Sequence, residues 1–341
     1  MAYQEIITAS GVSLNNVAAQ AALSAYDQVI IAPESTAVRL VLSDGASNTR
    51  WVASGKFQYA STRSTLDQVS GVADSLSILQ GGSQQKNIVF GRPFDIQQLL
   101  AFNEAQASAQ HNYRLSFLSG NDSFYSARLG TAADQVQGLD GNDLFAGYGG
   151  VDSFDGGSGR DTALYRGWAF EYSVSALGNN RYSVRDNVGQ RDDTDTLVNV
   201  ERLQFPDLTI ALDTNGTAGQ AYRVYKAAFN RTPDVSGLGF WIDRMDKGMD
   251  LIEVSSRFID SPEFRALYGS NPTNDVFLTR LYSNVLQRSP DDTGYQWWQN
   301  QLRNNPEKTW KKVLADFSES AENQANVAQL IASGIPYDPP G

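Results

Sequence analysis

Apolar and polar residues follow three different patterns along the chain, and each pattern predicts a different kind of element. Between residues 138 and 164 an apolar residue recurs every nine positions, in segments rich in glycine and aspartate. Residues 172–174 and 182–185 alternate on either side of a Gly-Asn-Asn turn, which indicates two strands. From residue 217 to 335 the apolar spacing becomes helical. The chain is therefore predicted to be multidomain, all-β followed by all-α.

The nine-residue pattern consists of three blocks in one register, which begin at residues 138, 147 and 156. Each block has glycine at its first and fourth positions, aspartate at its sixth and an apolar residue at its eighth. These residues are Gly138, Gly141, Asp143 and Phe145, then Gly147, Gly150, Asp152 and Phe154, then Gly156, Gly159, Asp161 and Ala163. Residues 129–137 form a weaker block with Asp134 sixth, and residues 117–125 carry Gly120 and Asp122 in matching places. An insertion at 126–128 interrupts the period.

This residue choice suits a turn that wraps a hard cation, followed by a short strand. Glycine allows the backbone to point its carbonyl oxygens inward, and calcium takes six to eight oxygen ligands. The eighth-position side chain would point into a stack of such turns, because one block cannot bury its apolar face alone. A flexible linker whose glycines and aspartates only form turns is the alternative interpretation.

The repeat resembles the hemolysin-type calcium-binding repeat of RTX proteins. That resemblance implies a parallel β-roll in which two blocks make one coil, so that calcium lies between alternate blocks. It implies one ion shared by Asp143 and Asp161, another by Asp134 and Asp152, and a third by Asp122 and Asp143. The metal-binding residues implied are Gly120, Asp122, Asp134, Gly138, Asp140, Gly141, Asp143, Gly147, Gly150, Asp152, Gly156, Gly159, Asp161 and Asp195.

The regions on either side of the blocks complete a division into residues 1–115, 116–214 and 215–341. The first is predicted to be a β-rich region of unknown fold, with strands over 29–31 and 38–42 broken by Pro33, and with a helix over 95–110. A further strand over 113–118 is predicted to enter the repeats. The segment 193–213 resembles the strands that close many RTX blocks. Its Asp193 and Asp195 fit either a last calcium site or ordinary turn formers.

The predicted helical region repeats itself. Residues 225–241 match residues 282–298, and residues 258–263 match residues 317–322. This region resembles a helical domain of unknown function that is often attached to RTX repeats and surface-layer proteins. Asp234 and Asp291 are interpreted as helix caps rather than metal ligands, and Trp241 and Trp298 as core anchors rather than a sugar platform.

Composition limits the cellular compartment and the kinds of partner that we expect for this protein. The 341 residues carry a net charge of −11, which argues against nucleic acid and suits a divalent cation. There is no cysteine, so calcium would stabilise the fold in place of the disulfides that other exported proteins use. Residues 1–30 show no signal peptide, and no stretch reaches the length of a membrane span. The RTX resemblance implies type I secretion from a Gram-negative bacterium and folding in extracellular calcium.

A search for catalytic motifs is negative. The single histidine, His111, excludes a two-histidine zinc site, and no nucleophile elbow or Walker phosphate loop is present. The sequence does not exclude a pair of carboxylates that hydrolyses glycosides, although residues 1–115 contain few acidic residues. We expect a non-enzymatic, secreted calcium-binding protein that self-associates in a surface layer, biofilm matrix or filament. A calcium-dependent adhesin or a module that binds cell-surface polysaccharide is the alternative.

Overall fold

The computed structural model describes residues 28–34, 37–43, 49–58, 70–80, 83–95, 120–125 and 133–340. The backbone divides into two units, Met1–Pro206 and Asp207–Gly341. Strands dominate the described chain up to residue 211, and eight helices follow. The prediction of a β region followed by an α region is therefore confirmed.

Five strands near the start of the chain are antiparallel neighbours in one sheet. They are β1 (Gln28–Glu34), β2 (Ala37–Ser43), β3 (Thr49–Gln58), β4 (Ser70–Gln80) and β5 (Ser83–Asp95). The strands predicted over 29–31 and 38–42 are confirmed, but Pro33 lies inside β1 and does not break it. Among the described strands β1 is at the sheet edge, where a proline removes no ladder hydrogen bond.

Asp95 ends β5 instead of beginning a helix. The remainder of that predicted helix, His111 and the strand predicted over 113–118 lie outside the described residues, as do the insertion at 126–128 and the start of the block at 129–137.

Each nine-residue block contributes one three-residue strand, and alternate blocks pair in parallel. The strands are β6 (Ser123–Tyr125), β7 (Gln135–Gln137), β8 (Leu144–Ala146), β9 (Ser153–Asp155) and β10 (Thr162–Leu164). β6, β8 and β10 lie side by side in the sheet of β1–β5, whereas β7 and β9 pair in a second sheet. β6 and β8 remain in register across the insertion that separates their blocks.

Four further strands follow the blocks in the first unit. They are β11 (Tyr172–Gly178), β12 (Arg181–Asp186), β13 (Thr194–Val198) and β14 (Arg202–Gln204). β13 pairs in parallel with β9, and β14 pairs in parallel with β10, so both stacks continue into the segment predicted to close the repeats. β11 and β12 form an antiparallel hairpin beside β13. Both sheets are therefore mixed, because β5 and the hairpin add antiparallel strands to the parallel repeat strands.

The eighth-position side chains form the core between the two sheets. Phe124, Phe145 and Phe154 are buried, and the ring of Phe145 stacks on the other two with centroids 5.4 and 5.2 Å away. Val136 and Ala163 are buried as well. The period predicted these inward positions because successive strand residues point to opposite faces.

The second unit consists of a two-stranded antiparallel ladder and eight described helices. The strands are β15 (Thr209–Ala211) and β16 (Ile335–Tyr337), and the helices are α1 (Thr217–Phe229), α2 (Val235–Asp246), α3 (Leu251–Ile259), α4 (Pro262–Tyr268), α5 (Asn274–Val285), α6 (Asp292–Asn304), α7 (Trp310–Ser318) and α8 (Ala321–Ala328). None of the described helices is long and apolar enough to cross a membrane.

The internal sequence repeat corresponds to two successive sets of four helices, α1–α4 and α5–α8. In each set an aspartate caps the second helix, because Asp234 accepts a hydrogen bond from the Gly237 amide and Asp291 from the Gly294 amide, both at 2.7 Å. The equivalent tryptophans pack on equivalent core rings, Trp241 on Phe258 and Trp298 on Phe317. The interpretation of these residues as caps and core anchors is confirmed.

The repeat also duplicates an ion-pair cluster. The Arg231 guanidinium lies over the Tyr225 ring and pairs with Glu263 at 2.7 Å. In the second set Arg288 lies over Tyr282 and pairs with Glu322 at 2.8 Å. Each arginine thus joins the start of its set to the last helix, which explains why both matched segments of the sequence repeat together.

Candidate metal centre

The buried sixth-position aspartates stack into two ladders, one along each row of parallel strands, and the closing segment adds one carboxylate to each ladder. In the first ladder the residues are Asp122, Asp143, Asp161 and Glu201, and in the second they are Asp134, Asp152 and Asp195. At each step the backbone N–H of one member donates to a carboxylate oxygen of the next, at 2.7–2.8 Å in the first ladder and 2.8–3.0 Å in the second. The three aspartate pairs implied to share calcium are all adjacent along these ladders.

The second carboxylate oxygen is the chemically unusual atom of the first ladder. Oδ2 of Asp143 and Oδ2 of Asp161 are buried and accept no hydrogen bond within the described part of the chain. Burial raises the pKa of Asp143 to about 7 and that of Asp161 to about 6, and the negative charge of Asp161 adds to the shift at Asp143. A buried carboxylate oxygen without a donor is costly unless a cation neutralises it.

First-position glycines leave room for these oxygens. A methyl group added at Gly138 would collide with Asp143 Oδ2 and lie 2.7 Å from the carbonyl oxygen of Gly156. A methyl group at Gly156 would collide with Asp161 Oδ2 and with the carbonyl oxygen of Asn199. Carboxylate and carbonyl oxygens therefore converge beside the first-position glycine in these two alternate blocks, which is the mixture of donors that calcium binds.

The turns have a repeating backbone conformation that was only partly predicted. The fourth-position glycines have φ values of 124°, 127° and 140°, as a turn that requires glycine should. The second position is also left-handed in each of the three clean blocks, at Leu139 (φ 74°), Tyr148 (φ 61°) and Gly157 (φ 89°). Two of these three residues are not glycine, so the left-handed conformation of the second position could not be predicted from the sequence.

Gly159→Ala is expected to destabilise the first unit by about 1–3 kcal/mol, because alanine resists a φ of 140° and its methyl group would collide with the carbonyl of Gly141. Urea unfolding in millimolar calcium, followed by circular dichroism, measures the change. Gly189→Ala is the matched control, since a methyl group there has no neighbour within 4 Å, and its stability should not change. Equal stability of the two variants would show that the turn does not require its left-handed backbone.

The remaining predicted ligands differ in what they contact. Asp140 is exposed, its backbone carbonyl accepts the Gly120 amide at 2.7 Å, and the negative charge of its side chain contributes to the raised pKa of Asp143. The Gly150 amide lies 3.3 Å from Asp193 Oδ2, which places Asp193 beside a repeat turn. Gly147 lies against Asp152 as Gly138 lies against Asp143. The roles of all these residues in metal binding stay predictions.

The closing segment supplies the last member of each ladder, and sequence reasoning identified only one of them. Asp195 is buried beside Asp152, and burial raises its pKa well above the usual range. Glu201 was missed, although it accepts the Asp161 amide at 2.8 Å as an aspartate does elsewhere in the ladder. A signal was present, since Glu201 lies two residues before the buried Leu203, the same spacing that separates Asp143 from Phe145.

Calcium fits this donor set better than a metal that needs side-chain ligands alone. No group of three or more histidine, cysteine, aspartate or glutamate side chains converges within the described residues. Backbone carbonyls would have to complete the six to eight oxygens around calcium, and the glycine-rich turns bring carbonyls to the carboxylates. The first ladder, at Asp143 and Asp161, is therefore the candidate metal centre.

Comparison with known proteins adds information on the helical unit. No curated protein matches the chain, and no RTX repeat family is detected. Residues 255–327, from α3 to α8, match the family model of a domain of unknown function, DUF4214.

Proposed function

We propose that residues 116–214 form a short RTX-type β-roll that binds calcium and requires it to fold, within a non-enzymatic protein exported to the cell surface of a Gram-negative bacterium. The observation that carries the proposal is the pair of buried Oδ2 atoms at Asp143 and Asp161, one coil apart, neither of which accepts a hydrogen bond from any residue that the structure describes. The parallel pairing of alternate blocks supports the roll, and the antiparallel strands of both sheets then lie outside it.

A folding requirement for calcium fits export. Extracellular calcium modules work with dissociation constants of about 10⁻⁴–10⁻³ M, so a low-calcium interior would leave the ladders charged and unfolded. Type I secretion, which passes unfolded chains, is the route that we propose on this basis. Removal of the last ~60 residues, on the order of half a small domain, should block export; unchanged export would contradict the route.

Asp161→Asn is expected to weaken calcium binding by about 10–100-fold, a loss seen even for residues that only support metal ligands. The change removes one charge from the pair while it keeps the shape of the side chain. Isothermal titration calorimetry of the full chain measures the affinity. Asp260→Asn is the matched control, because Asp260 is exposed in the helical unit and its loss should change nothing. Wild-type affinity in the Asp161 variant would contradict the proposed ligand, and absence of calcium binding by the wild type would contradict the function.

Self-association into a surface layer, biofilm matrix or filament is the second part of the proposal. Calcium would neutralise part of the net charge of −11 that otherwise keeps copies apart. Trp168 and Phe170 are 58% and 76% exposed and lie edge to face, and exposed aromatic residues of this kind commonly mark interaction surfaces.

The same aromatic pair supports the alternative of an adhesin that binds cell-surface polysaccharide, because a sugar ring can stack on an exposed aromatic face. Electron microscopy of the full chain in millimolar calcium separates the two functions. Ordered sheets or fibres support assembly, whereas monodisperse particles contradict it and favour the adhesin.

A further inference from the structure

The hairpin of β11 and β12 presents an open strand edge to solvent. β11 pairs only with β12 among the described strands, and it is the outermost strand of its sheet. Ser173 and residues 175–178 are exposed, and Val174 is half-buried. An open edge carries unpaired N–H and C=O groups that can pair with another strand.

Hydrogen bonds on either side of β12 show which residues of β11 face outward. The Asn187 amide donates to the Glu171 carbonyl at 2.9 Å, and the Asp186 amide donates away from β11, to the Asp193 carbonyl. Along antiparallel strands, residues that hydrogen-bond to the partner strand alternate with residues that do not. Since Glu171 bonds to Asn187, Ser173 and Ser175 also hydrogen-bond to β12. Val174 and Ala176 therefore direct their N–H and C=O groups outward.

Before its bulge, this edge lacks the side-chain features that protect many natural edge strands against pairing. Natural edge strands carry charges or proline, as β16 does at Pro336, whereas Tyr-Ser-Val-Ser-Ala-Leu-Gly in β11 has neither. A bulge between Ala176 and Gly178 ends the regular edge, so pairing is confined to the strand before Leu177.

The hairpin is held rigidly at both ends. At its tip Asn179 and Asn180 both have positive φ, 52° and 54°, which matches the tight turn favoured between antiparallel strands. At its base Arg191 pairs with Asp186 at 2.6 Å and with Glu171 at 2.8 Å. A rigid edge loses little conformational freedom when a partner strand binds.

Exposed apolar side chains are frequent in the hairpin and in the turns that flank it in the sequence. Among the side chains described between residues 120 and 206, five large apolar ones are exposed, and four of them belong to the hairpin or to the turns just before and just after it. These four are Trp168, Phe170, Leu177 and Val188. Their burial would add an apolar contribution to backbone pairing.

We propose that β11 joins two copies of the chain as an antiparallel strand pair with two-fold symmetry, centred on Ser175. In this register Val174 of one copy and Ala176 of the other exchange hydrogen bonds on both sides of the axis, and the two Ser175 residues face each other. A second copy fits better than a charged partner strand, because self-pairing of an uncharged strand places no like charges opposite each other in a chain of net charge −11. This inference rests on the self-association in the proposed function.

Ser175→Cys tests the register, because the chain has no other cysteine. Residues opposite each other in a non-hydrogen-bonded antiparallel pair have Cα atoms about 4.5 Å apart, within the range that a disulfide spans. With copper-phenanthroline as oxidant, which accepts the two electrons of the paired thiols, we expect a covalent dimer in millimolar calcium. Ser173→Cys is the matched control on the same exposed face; its two copies would be about 14 Å apart, too far to join.

A dimer from Ser175→Cys with at least tenfold slower cross-linking of Ser173→Cys supports the proposal. Equal rates, or no dimer from either variant, overturn it. Light scattering of the cysteine-free wild type, with circular dichroism to show that it is folded, distinguishes failure of the β11 interface from failure of the proposed self-association. A wild type that associates while neither variant cross-links overturns the β11 interface alone, whereas a folded wild type that stays monomeric overturns self-association as well.

A charge at the axis gives a second test that does not depend on oxidation. Ser175→Asp places two carboxylates opposite each other, and we expect at least tenfold weaker association, whereas Ser175→Thr should associate like the wild type. Unchanged association of the aspartate variant overturns the proposal. Because residue 175 is exposed, both variants should give the wild-type circular dichroism spectrum in calcium.

Discussion

Chelation of calcium is expected to remove the strands of residues 120–206 while the helical unit keeps its helices. Without a cation the buried carboxylates of Asp143 and Asp161 are neighbours along the first ladder, in a site that raises the pKa of both. Each occupied site should stabilise the fold by about 2.7 kcal/mol when free calcium is a hundredfold above the dissociation constant. Three such sites acting together would contribute about 8 kcal/mol, which is comparable with the whole stability of about 5–15 kcal/mol that is typical of a domain.

Circular dichroism with and without chelator measures this effect, with the helical signal as an internal reference. The helical unit should be insensitive because its core is apolar, formed by residues such as Phe258, Phe277 and Leu281. Magnesium at the same concentration is the control cation; it should restore fewer strands because it gives up its bound water reluctantly. A strand signal that survives chelation would show that the repeats fold without metal.

Phe145→Ala should destabilise the first unit by about 3–5 kcal/mol, the cost of a cavity left by a fully buried phenylalanine. Phe145 is completely buried, and its ring is stacked between Phe124 and Phe154, so no neighbour can fill the space without a shift of both sheets. Thermal unfolding in saturating calcium measures the loss.

Phe170→Ala is the matched control for this cavity, because the Phe170 side chain is 76% exposed and its removal should change stability by less than about 0.5 kcal/mol. A small effect at Phe145 would mean that the stacked aromatic rings do not form the core, and that the eighth-position residues of the repeat have another role.

Local patterns predicted the elements of this protein where one feature repeats in sequence. The inward position of Phe145 and the capping role of Asp234 both follow from contacts within a few residues, such as the alternation of a strand or the first turn of a helix. The resemblance to RTX repeats implied that Asp143 and Asp161 are neighbours, and they are neighbours because alternate blocks stack on each other. Whether these carboxylates bind calcium remains a prediction.

Other features depend on contacts between residues far apart in the chain, and such contacts cannot be predicted from the local sequence pattern. Glu201 joins the first ladder through Asp161, forty positions earlier, after a hairpin has intervened. β5 pairs with β6 in antiparallel fashion, which turns a parallel stack into a mixed sheet. The left-handed backbone at Leu139 and Tyr148 is imposed by the turn on residues that do not favour it.

The sequence by itself determined where apolar side chains enter the core, where helices begin, and which carboxylates recur at each turn, because these depend on the period of short-range structure. Only the tertiary structure decided which strand ends each stack, which edge remains open, and how the two sheets become mixed. Strand pairing is set by hydrogen bonds between segments that are distant in the sequence, so the local pattern of β11 could not show that it pairs with β12 alone among the described strands.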